Sequence, residues 1–574
     1  MRRLESEGHR RRKFRRRMPA GAGEPVAMRS RQPDIVSCRL LREPGLNPFD
    51  KRLGALTPDV LGALLRGIEK EGLRVQPDGM LADTPHPQGL GSALTHPRIT
   101  TDFSESQLEL ITGVHPHVDA CLAELTELHQ VVYRRLGDEL LWCASMPCKL
   151  PAEDEIPLGR YGTANVGRLK TTYRQGLAHR YGRRMQTISG IHYNFSLPEQ
   201  AWSLLQEADR ETGPAEAYQD RGYFALIRNF RRHSWLLLIL FGSSPAVCGT
   251  FLGDHPHALT AWDTGTLFAP YGTSLRMGRL GYQSDAQASL AVSFNSLGGY
   301  ASSLHRSLTE PYPPYEAIGI TDGADYRQLA TTLLQIENEF YGTIRPKRRI
   351  HPGERPLKAL GERGVEYVEV RCVDVNPFFP IGIDAGEIRF MDIFLLHCLL
   401  QASPNDTPEE IAAISRNQHL AAERGRDPAL RLDRYGQPVA PAEWGARLLR
   451  ECEPIAAALD GAQGGRAYRD VLSAAAAALG DPATLPSARV LRETEQDYAK
   501  SFPRFALDYS QRHRRALLDL PLPGAAAARY ARMAEESLAA QRAIEAADSV
   551  PFEVHRQRYL GQDLLSGAHF RMAG

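Results

Sequence analysis

The sequence predicts an α+β fold built around a mostly antiparallel sheet. Between about Leu56 and Leu400, short strand-like runs alternate with amphipathic helical stretches in no regular βαβ rhythm. Several of those runs alternate polar and apolar residues with period two, the signature of a strand with one packed face. After the turn-like SPND at Ser403–Asp406 the chain becomes dense in alanine, which favours helix and offers little to a strand.

Taken in order, residues 1–50 are rich in Arg, Pro and Gly without periodicity, and read as a disordered extension. Residues 1–17 carry a local charge of +7, so the other 557 sum to −6 of the overall +1. The body is therefore mildly acidic, and no nucleic acid partner is expected. Met18 and Met28 leave the true start open.

Helices are expected at Pro58–Gly67, Ser104–Ile111, Val118–Arg135, Gly167–Tyr181 and Tyr223–Ser234, and strands at Ile68–Val75, Ser189–Leu197, Leu333–Tyr341 and Val365–Val373. The apolar run Trp235–Phe241 covers about a third of a bilayer, so it reads as a buried element and no membrane span is expected. Three regions follow: the extension 1–50, a catalytic body 51–403 and a helical region 404–574 packed on it. The eight cysteines form no CxxC pair, and Cys143 and Cys148 lack a partner pair at zinc spacing. A reducing cytoplasm fits that usage.

The most informative strand is within Gln186–Leu197. Period two puts Ile188, Gly190, His192, Asn194 and Ser196 on one face, and Ile191, Tyr193, Phe195 and Leu197 on the other. An imidazole and a carboxamide beside a glycine suit a site where a ligand approaches the backbone closely. Taken alone, a histidine such as His192 is more often a hydrogen-bonded structural residue than a ligand.

Carboxylates add weight. Glu69 and Glu71 sit two apart on one strand face. Asp102 precedes the expected helix 104–111, with Glu109 seven residues on, two turns along. Tyr367, Glu369 and Arg371 share a strand face. Glu337 and Glu339 run into a basic cluster of Arg345, Lys347, Arg348 and Arg349. Several acids on different elements repel unless cations lie between them, and oxygen ligands with few imidazoles suit Mg2+ or Mn2+ rather than zinc. The basic cluster is a natural clamp for phosphates. The chain has no P-loop, no GxGxxG after a strand, no HExxH and no GxSxG elbow, so bound ATP would be held some other way.

Seven stretches, in order, resemble the proteobacterial type of glutamate–cysteine ligase. They are RGIEKEGLRV (66–75), LGSALTHPRITTDFSESQLELIT (90–112), SMPC (145–148), YGTANVGRLKTTYRQGLAHRYGRRMQTISGIHYNFSLP (161–198), PYGTSLRMGRLGY (270–282), LQIENEFYGTIRPKR (334–348) and GVEYVEVRCVDVNPFFPIGID (364–384). The resemblance spans most of 50–400 and is looser beyond. It implies a glutamine synthetase-like catalytic fold, with a curved antiparallel sheet forming a funnel surrounded by helices. It implies ATP-dependent joining of the γ-carboxylate of L-glutamate to L-cysteine, through γ-glutamyl phosphate, as the first step of glutathione biosynthesis.

By the same resemblance Glu69, Glu71, Asp102, Glu109 and Glu369 match the metal ligands, with His192 beside them, and Arg371 faces the transferred phosphoryl group and the glutamate. Tyr173, Leu177, Gln186, Asn194, Arg276 and Tyr282 match the amino-acid pocket, and Lys347 and Arg348 lie where triphosphate contacts are expected. Gly72 departs from the pattern, which carries a polar residue such as Thr there. A cytoplasmic monomer with small-molecule partners only, needing Mg2+ or Mn2+ and ATP, completes the expectation. A related ligase with another amino-acid acceptor and a non-catalytic binding protein are the alternatives. A second ATP-binding ligase domain is not expected, because 404–574 is short and helical.

Overall fold

Strand β1 (Leu65–Val75) organises the architecture because it pairs with three other strands. The computed structural model describes residues 47–253, 256–262, 264–281, 290 and 292–561. Its main sheet adds β2 (Ile99–Thr101), β3 (Gln107–Ile111), β4 (Leu140–Leu141), β5 (Gly190–Ser196), β6 (Ile344–Lys347) and β7 (Tyr367–Asp374). The spatial order is β6-β7-β5-β1-β3-β2, with β4 beside the end of β1, and every pairing is antiparallel. An open antiparallel sheet with two chemically different faces is the frame the alternation demands.

One face is apolar. Ile68, Leu108, Leu110, Ile191, Tyr193, Phe195, Val368 and Val370 are all buried on it. Each contributes about 2 kcal/mol of transfer free energy. Helices α1 (Val118–Tyr133), α3 (Ala215–His233) and α4 (Ala385–Leu400) belong to the same hydrophobic cluster. Helix α2 (Asn165–Tyr181) lies between β4 and β5 in sequence. The C-terminal region is helical apart from a small hairpin at 432–439, and α5 (Pro441–Gln463) and α6 (Ala467–Gly480) add Leu448, Leu459 and Tyr468 to that cluster.

The same face of β1 also carries cations at Arg66, Lys70 and Arg74, and each needs an answer from the core. Arg66 pairs with Asp392 of α4 at 3.1 Å, and Tyr193 of β5 and Tyr468 of α6 donate to that carboxylate at 2.6 and 3.3 Å. Arg74 meets Glu139 at 2.7 Å. Lys70 bonds His129 Nε2 at 3.0 Å, while His129 Nδ1 lies 2.7 Å from the Leu125 carbonyl, so the imidazole accepts from the amine. Burial pushes Lys70 down to about 8.

Several expected elements differ. Residues 104–111 do not form a helix: β3 begins at Gln107, because Leu108 and Leu110 alternate with Gln107 and Glu109 and the ladder to β1 satisfies the backbone. The helix expected over 58–67 stops at Gly62, since Leu65–Gly67 already belong to β1. Residues 333–341 are loop with a 3-10 turn at Glu337–Glu339, and the strand comes later as β6. The boundary drawn at residue 50 falls inside a helix, Pro48–Ala55, which Asn47 caps and Arg52 ties to Asp209 at 2.9 Å. The basic residues 1–17 lie outside the described residues. Trp235–Phe241 is a buried helix, and no described helix is long and apolar enough to cross a membrane.

Replacing Arg66 by Met strands the Asp392 carboxylate in the core. Urea unfolding is expected to show a loss of about 3–5 kcal/mol, part of which returns in the Arg66→Met/Asp392→Leu double variant.

Candidate active site

The polar face of the sheet gathers its side chains by register. Directly opposed residues are Glu71 and Glu109 across β1–β3, Glu69 and His192 across β1–β5, Asn194 and Glu369 across β5–β7, and Glu369 and Arg345 across β7–β6. Opposed residues of an antiparallel pair point to one side, so an acidic row crosses five strands without any loop defining it. Asp102 follows β2 directly and its backbone N–H donates to Gln107 at 3.0 Å. It therefore enters from a hairpin, not from ahead of a helix.

His192 stands between the glutamates of β1, with Nδ1 3.4 Å from Glu69 and Nε2 3.5 Å from Glu71. Asn194 Nδ2 donates to Glu69 at 2.8 Å and the Gly190 N–H to Glu71 at 2.7 Å. Lys347 Nζ lies 2.9 Å from Glu369, and Arg371 Nη1 donates to its other oxygen at 3.0 Å.

These partners split the acids into two groups. Burial pushes Glu369 upward, but Lys347, Arg371 and His192 outweigh it and hold the carboxyl well below the usual range. Burial likewise opposes ionisation of Glu69, and the His192 hydrogen bond and Lys347 overcome it. Glu71 is raised by burial and then by Asp102, and Glu109 is raised far more, by burial and the charges of Glu69, Asp102 and Glu71. At the second group negative charge is in excess. Glu69, Glu109 and His192 bring one donor atom each within 4.8 Å of one another, a set that fits a hard divalent cation.

Arg371 owes its place to a bulge. β7 pairs with β5 as Val370–Tyr193 and then Val373–Ile191, so β7 carries one extra residue between those pairs. The bulge takes backbone carbonyls off the ladder, and buried Arg276 accounts for two of them, donating to Arg371 O at 2.6 Å and Val373 O at 3.1 Å. Asp374 lies 3.7 Å from the same guanidinium. Gly190 makes room for it: a Cβ there would come within 2.0 Å of Arg276 Nη2.

Helix α2 borders the row. Its Tyr173 is half-buried and Leu177 is buried, and Gly176 packs so closely on Gln335 that a Cβ would lie 2.1 Å from the amide oxygen. Gln186 sits on a 3-10 turn before β5 and donates to Tyr341 Oη at 2.9 Å. Arg348 is not brought to the row: it donates to the Arg363 carbonyl at 2.7 Å and lies 3.6 Å from Glu366. Tyr282 lies outside the described residues.

Glu337 and Glu339 serve structure. Arg355 and the Leu357 N–H hold Glu337, while Arg180 at 2.8 Å, Tyr181 at 2.7 Å and the Gln335 N–H at 2.7 Å hold Glu339. Sequence reasoning missed the individual places of Arg345 and Tyr341. Arg345 opposes Glu369 and donates to the Asn338 carbonyl at 2.9 Å, steadying the loop that bears Tyr341. The period-two spacing of Arg345 and Lys347 was the signal available.

This geometry is matched by a known family. The family model described as glutamate–cysteine ligase matches residues 54–421, a span that holds every acid of the row and Arg371. The chain belongs to the glutamate–cysteine ligase family. A relative named glutamate–cysteine ligase from Pseudomonas entomophila is 49% identical over 497 residues, covering 86% of this chain and 93% of the relative. One from Azotobacter vinelandii is 48% identical over 512 residues, covering 88% and 96%. Among solved structures, glutamate–cysteine ligase from Francisella tularensis in complex with AMP aligns with a TM-score of 0.82 at 34% identity, over 87% of this chain and 98% of that one. The α+β, glutamine synthetase-like fold expected for glutamate–cysteine ligases is thus the fold observed.

Gly190→Ala tests the bulge support. Displacing Arg276 shifts the Arg371 backbone, and kcat/KM is expected to fall about 100-fold while far-UV circular dichroism stays unchanged.

Proposed function

We propose that the acidic row and Arg371 are the phosphoryl-transfer centre of an ATP-dependent ligase that joins the γ-carboxylate of L-glutamate to the amino group of L-cysteine. The single observation carrying this reading is the row itself: four glutamates, an imidazole and an arginine on one sheet face, with Asp102 joining from the adjoining hairpin, in a glutamate–cysteine ligase family member.

A carboxylate is a poor acyl donor because its oxygen leaves badly. Transfer of the γ-phosphoryl group of ATP to the glutamate γ-carboxylate gives γ-glutamyl phosphate and ADP. The cysteine amine then attacks the carbonyl carbon through a tetrahedral oxyanion, the amine loses its proton and phosphate departs. Glu69, Glu71, Asp102, Glu109, His192 and Glu369 would hold Mg2+, with Mn2+ as the substitute. Such a cation, when bound, neutralises phosphate charge and aligns the oxygens.

Arg371, fixed by Glu369, presents donors to the transferred group without having to reorganise during transfer. Lys347 offsets charge at the triphosphate side, and Arg348, held by the Arg363 carbonyl and Glu366, would reach a triphosphate only by leaving those partners. The family resemblance assigns Tyr173, Leu177, Gln186 and Asn194 to the amino-acid pocket, with Arg276 supporting it through the β7 bulge, and by that resemblance alone Tyr282 is assigned there, the two tyrosines toward the cysteine. No protein nucleophile is needed. The seven described cysteines are all free thiols, in keeping with a cytoplasmic enzyme. The enzyme acts as a monomer.

The direct test is ADP release by the purified protein with Mg·ATP and L-glutamate, with and without L-cysteine. Cysteine-dependent turnover that disappears without glutamate is expected, and turnover driven only by another amine would overturn the acceptor. Glu369→Gln is expected to lower kcat by about 100-fold or more. Leu177→Ala is expected to raise KM for L-cysteine about tenfold, the usual consequence of removing apolar contact from a small pocket.

A further inference from the structure

Helix α2 starts without a cap of its own. Its N-cap position is Ala164, whose methyl group cannot accept the orphaned N–H groups of the first turn. The acceptor comes from the other end of the chain. Asp548, in the link between α7 (Gly524–Ala547) and α8 (Phe552–Leu560), accepts the Asn165 backbone N–H with Oδ2 and the Asn165 side-chain amide with Oδ1 at 2.7 Å. The Val550 carbonyl takes the second proton of that amide at 2.7 Å. Glu545 accepts from the Thr163 N–H at 2.9 Å, one step outside the helix. A carboxylate at this end of a helix also meets the positive pole of its dipole.

Below the cap, α8 grips both sides of the groove beside α2. Phe552 packs with Leu169 of α2, lies under the Arg168 guanidinium at 4.4 Å and meets the Tyr326 ring edge-on at 4.8 Å. Arg556 donates to the Leu329 carbonyl, and Arg355 reaches the Tyr559 carbonyl at 3.3 Å. The 329–339 segment so held is the one that Gly176 and the Tyr173 carbonyl touch through Gln335. The acids of the row, by contrast, are set by strand ladders that α7 and α8 do not join. Arg174 of α2 links the two systems, donating to the Asp102 carbonyl and, at 3.5 Å, to the Thr101 carbonyl at the end of β2.

We propose that Asp548 is a positioning residue for the acceptor side of the reaction: by capping α2 it fixes where Tyr173 and Leu177 stand against Gln186 and Tyr341. The inference rests on the assignment of Tyr173 and Leu177 to the cysteine pocket. It extends the working part of the molecule beyond residue 421, where the family match ends.

The test compares Asp548→Asn, Asp548→Ala and Asp548→Glu in steady-state kinetics of the full chain, varying L-cysteine, L-glutamate and Mg·ATP separately. KM for L-cysteine is expected to rise about tenfold in the Asn and Ala variants. KM for the other two substrates and kcat should stay within about twofold, and Asp548→Glu should recover part of the loss. Phe552→Ala, which loosens the same helix through a different contact, is expected to give the same pattern. If Asp548→Ala does not fold, the isosteric Asn variant carries the comparison. A lower melting temperature with unchanged kinetics would overturn the proposal, as would a uniform change in all three KM values and kcat. Should Leu177→Ala leave KM for cysteine unmoved, the pocket assignment itself fails. If Leu177→Ala raises it and Asp548→Asn does not, only the role of Asp548 fails.

Discussion

Repulsion among carboxylates crowded on one sheet face is the constraint on which the remaining structure depends. Burial and then Asp102 make ionisation of Glu71 harder, burial and then Glu69, Asp102 and Glu71 do the same to Glu109, and a loop carrying such charges would swing apart into water. Strands cannot, because each residue is pinned by ladder bonds on both sides and by an apolar opposite face. The stability of the sheet, concentrated in Ile68, Ile191, Tyr193, Val368 and their neighbours, is what holds the acids in place. Sites on rigid elements keep their geometry better than sites on loops, and here nearly all of the row rides on strands.

Strand β1 shows how closely the two faces are linked. It places Glu69 and Glu71 toward the site and Arg66, Lys70 and Arg74 toward the core. The core must then supply Asp392, His129 and Glu139 from three separate segments. A buried charge needs a partner with good geometry, so these pairs give little net stability yet make the docking of α1 and α4 on the sheet specific. Tyr468 of α6 completes the Asp392 network and draws the C-terminal helices into the same requirement.

The site also departs from regular structure at one point, and that departure is supported from outside the sheet. A bulge aims Arg371 along the row, Arg276 answers the freed carbonyls, and Gly190 leaves the space Arg276 occupies. Three residues from three distant segments thus act as one device.

The local chemistry of the strands was legible in the chain itself. Period-two alternation identified β1, β5 and β7 and put Glu69 with Glu71, His192 with Asn194 and Glu369 with Arg371 on common faces, because side-chain direction in a strand depends only on parity. The ordered motifs identified the family, and alanine density identified the helical C-terminal region. Tertiary structure alone decided the rest. SESQLELI satisfies a helical spacing as well as a strand spacing, and only pairing with β1 settles it as β3. Glu337 and Glu339 look like site acids until Arg355, 18 residues further on, and Arg180, 159 residues back, pair with them. The bulge that aims Arg371 and the cap that Asp548 places on α2 depend on partners about a hundred to several hundred residues away. Parity and composition are properties of neighbours along the chain, whereas register, charge compensation and capping belong to neighbours in space.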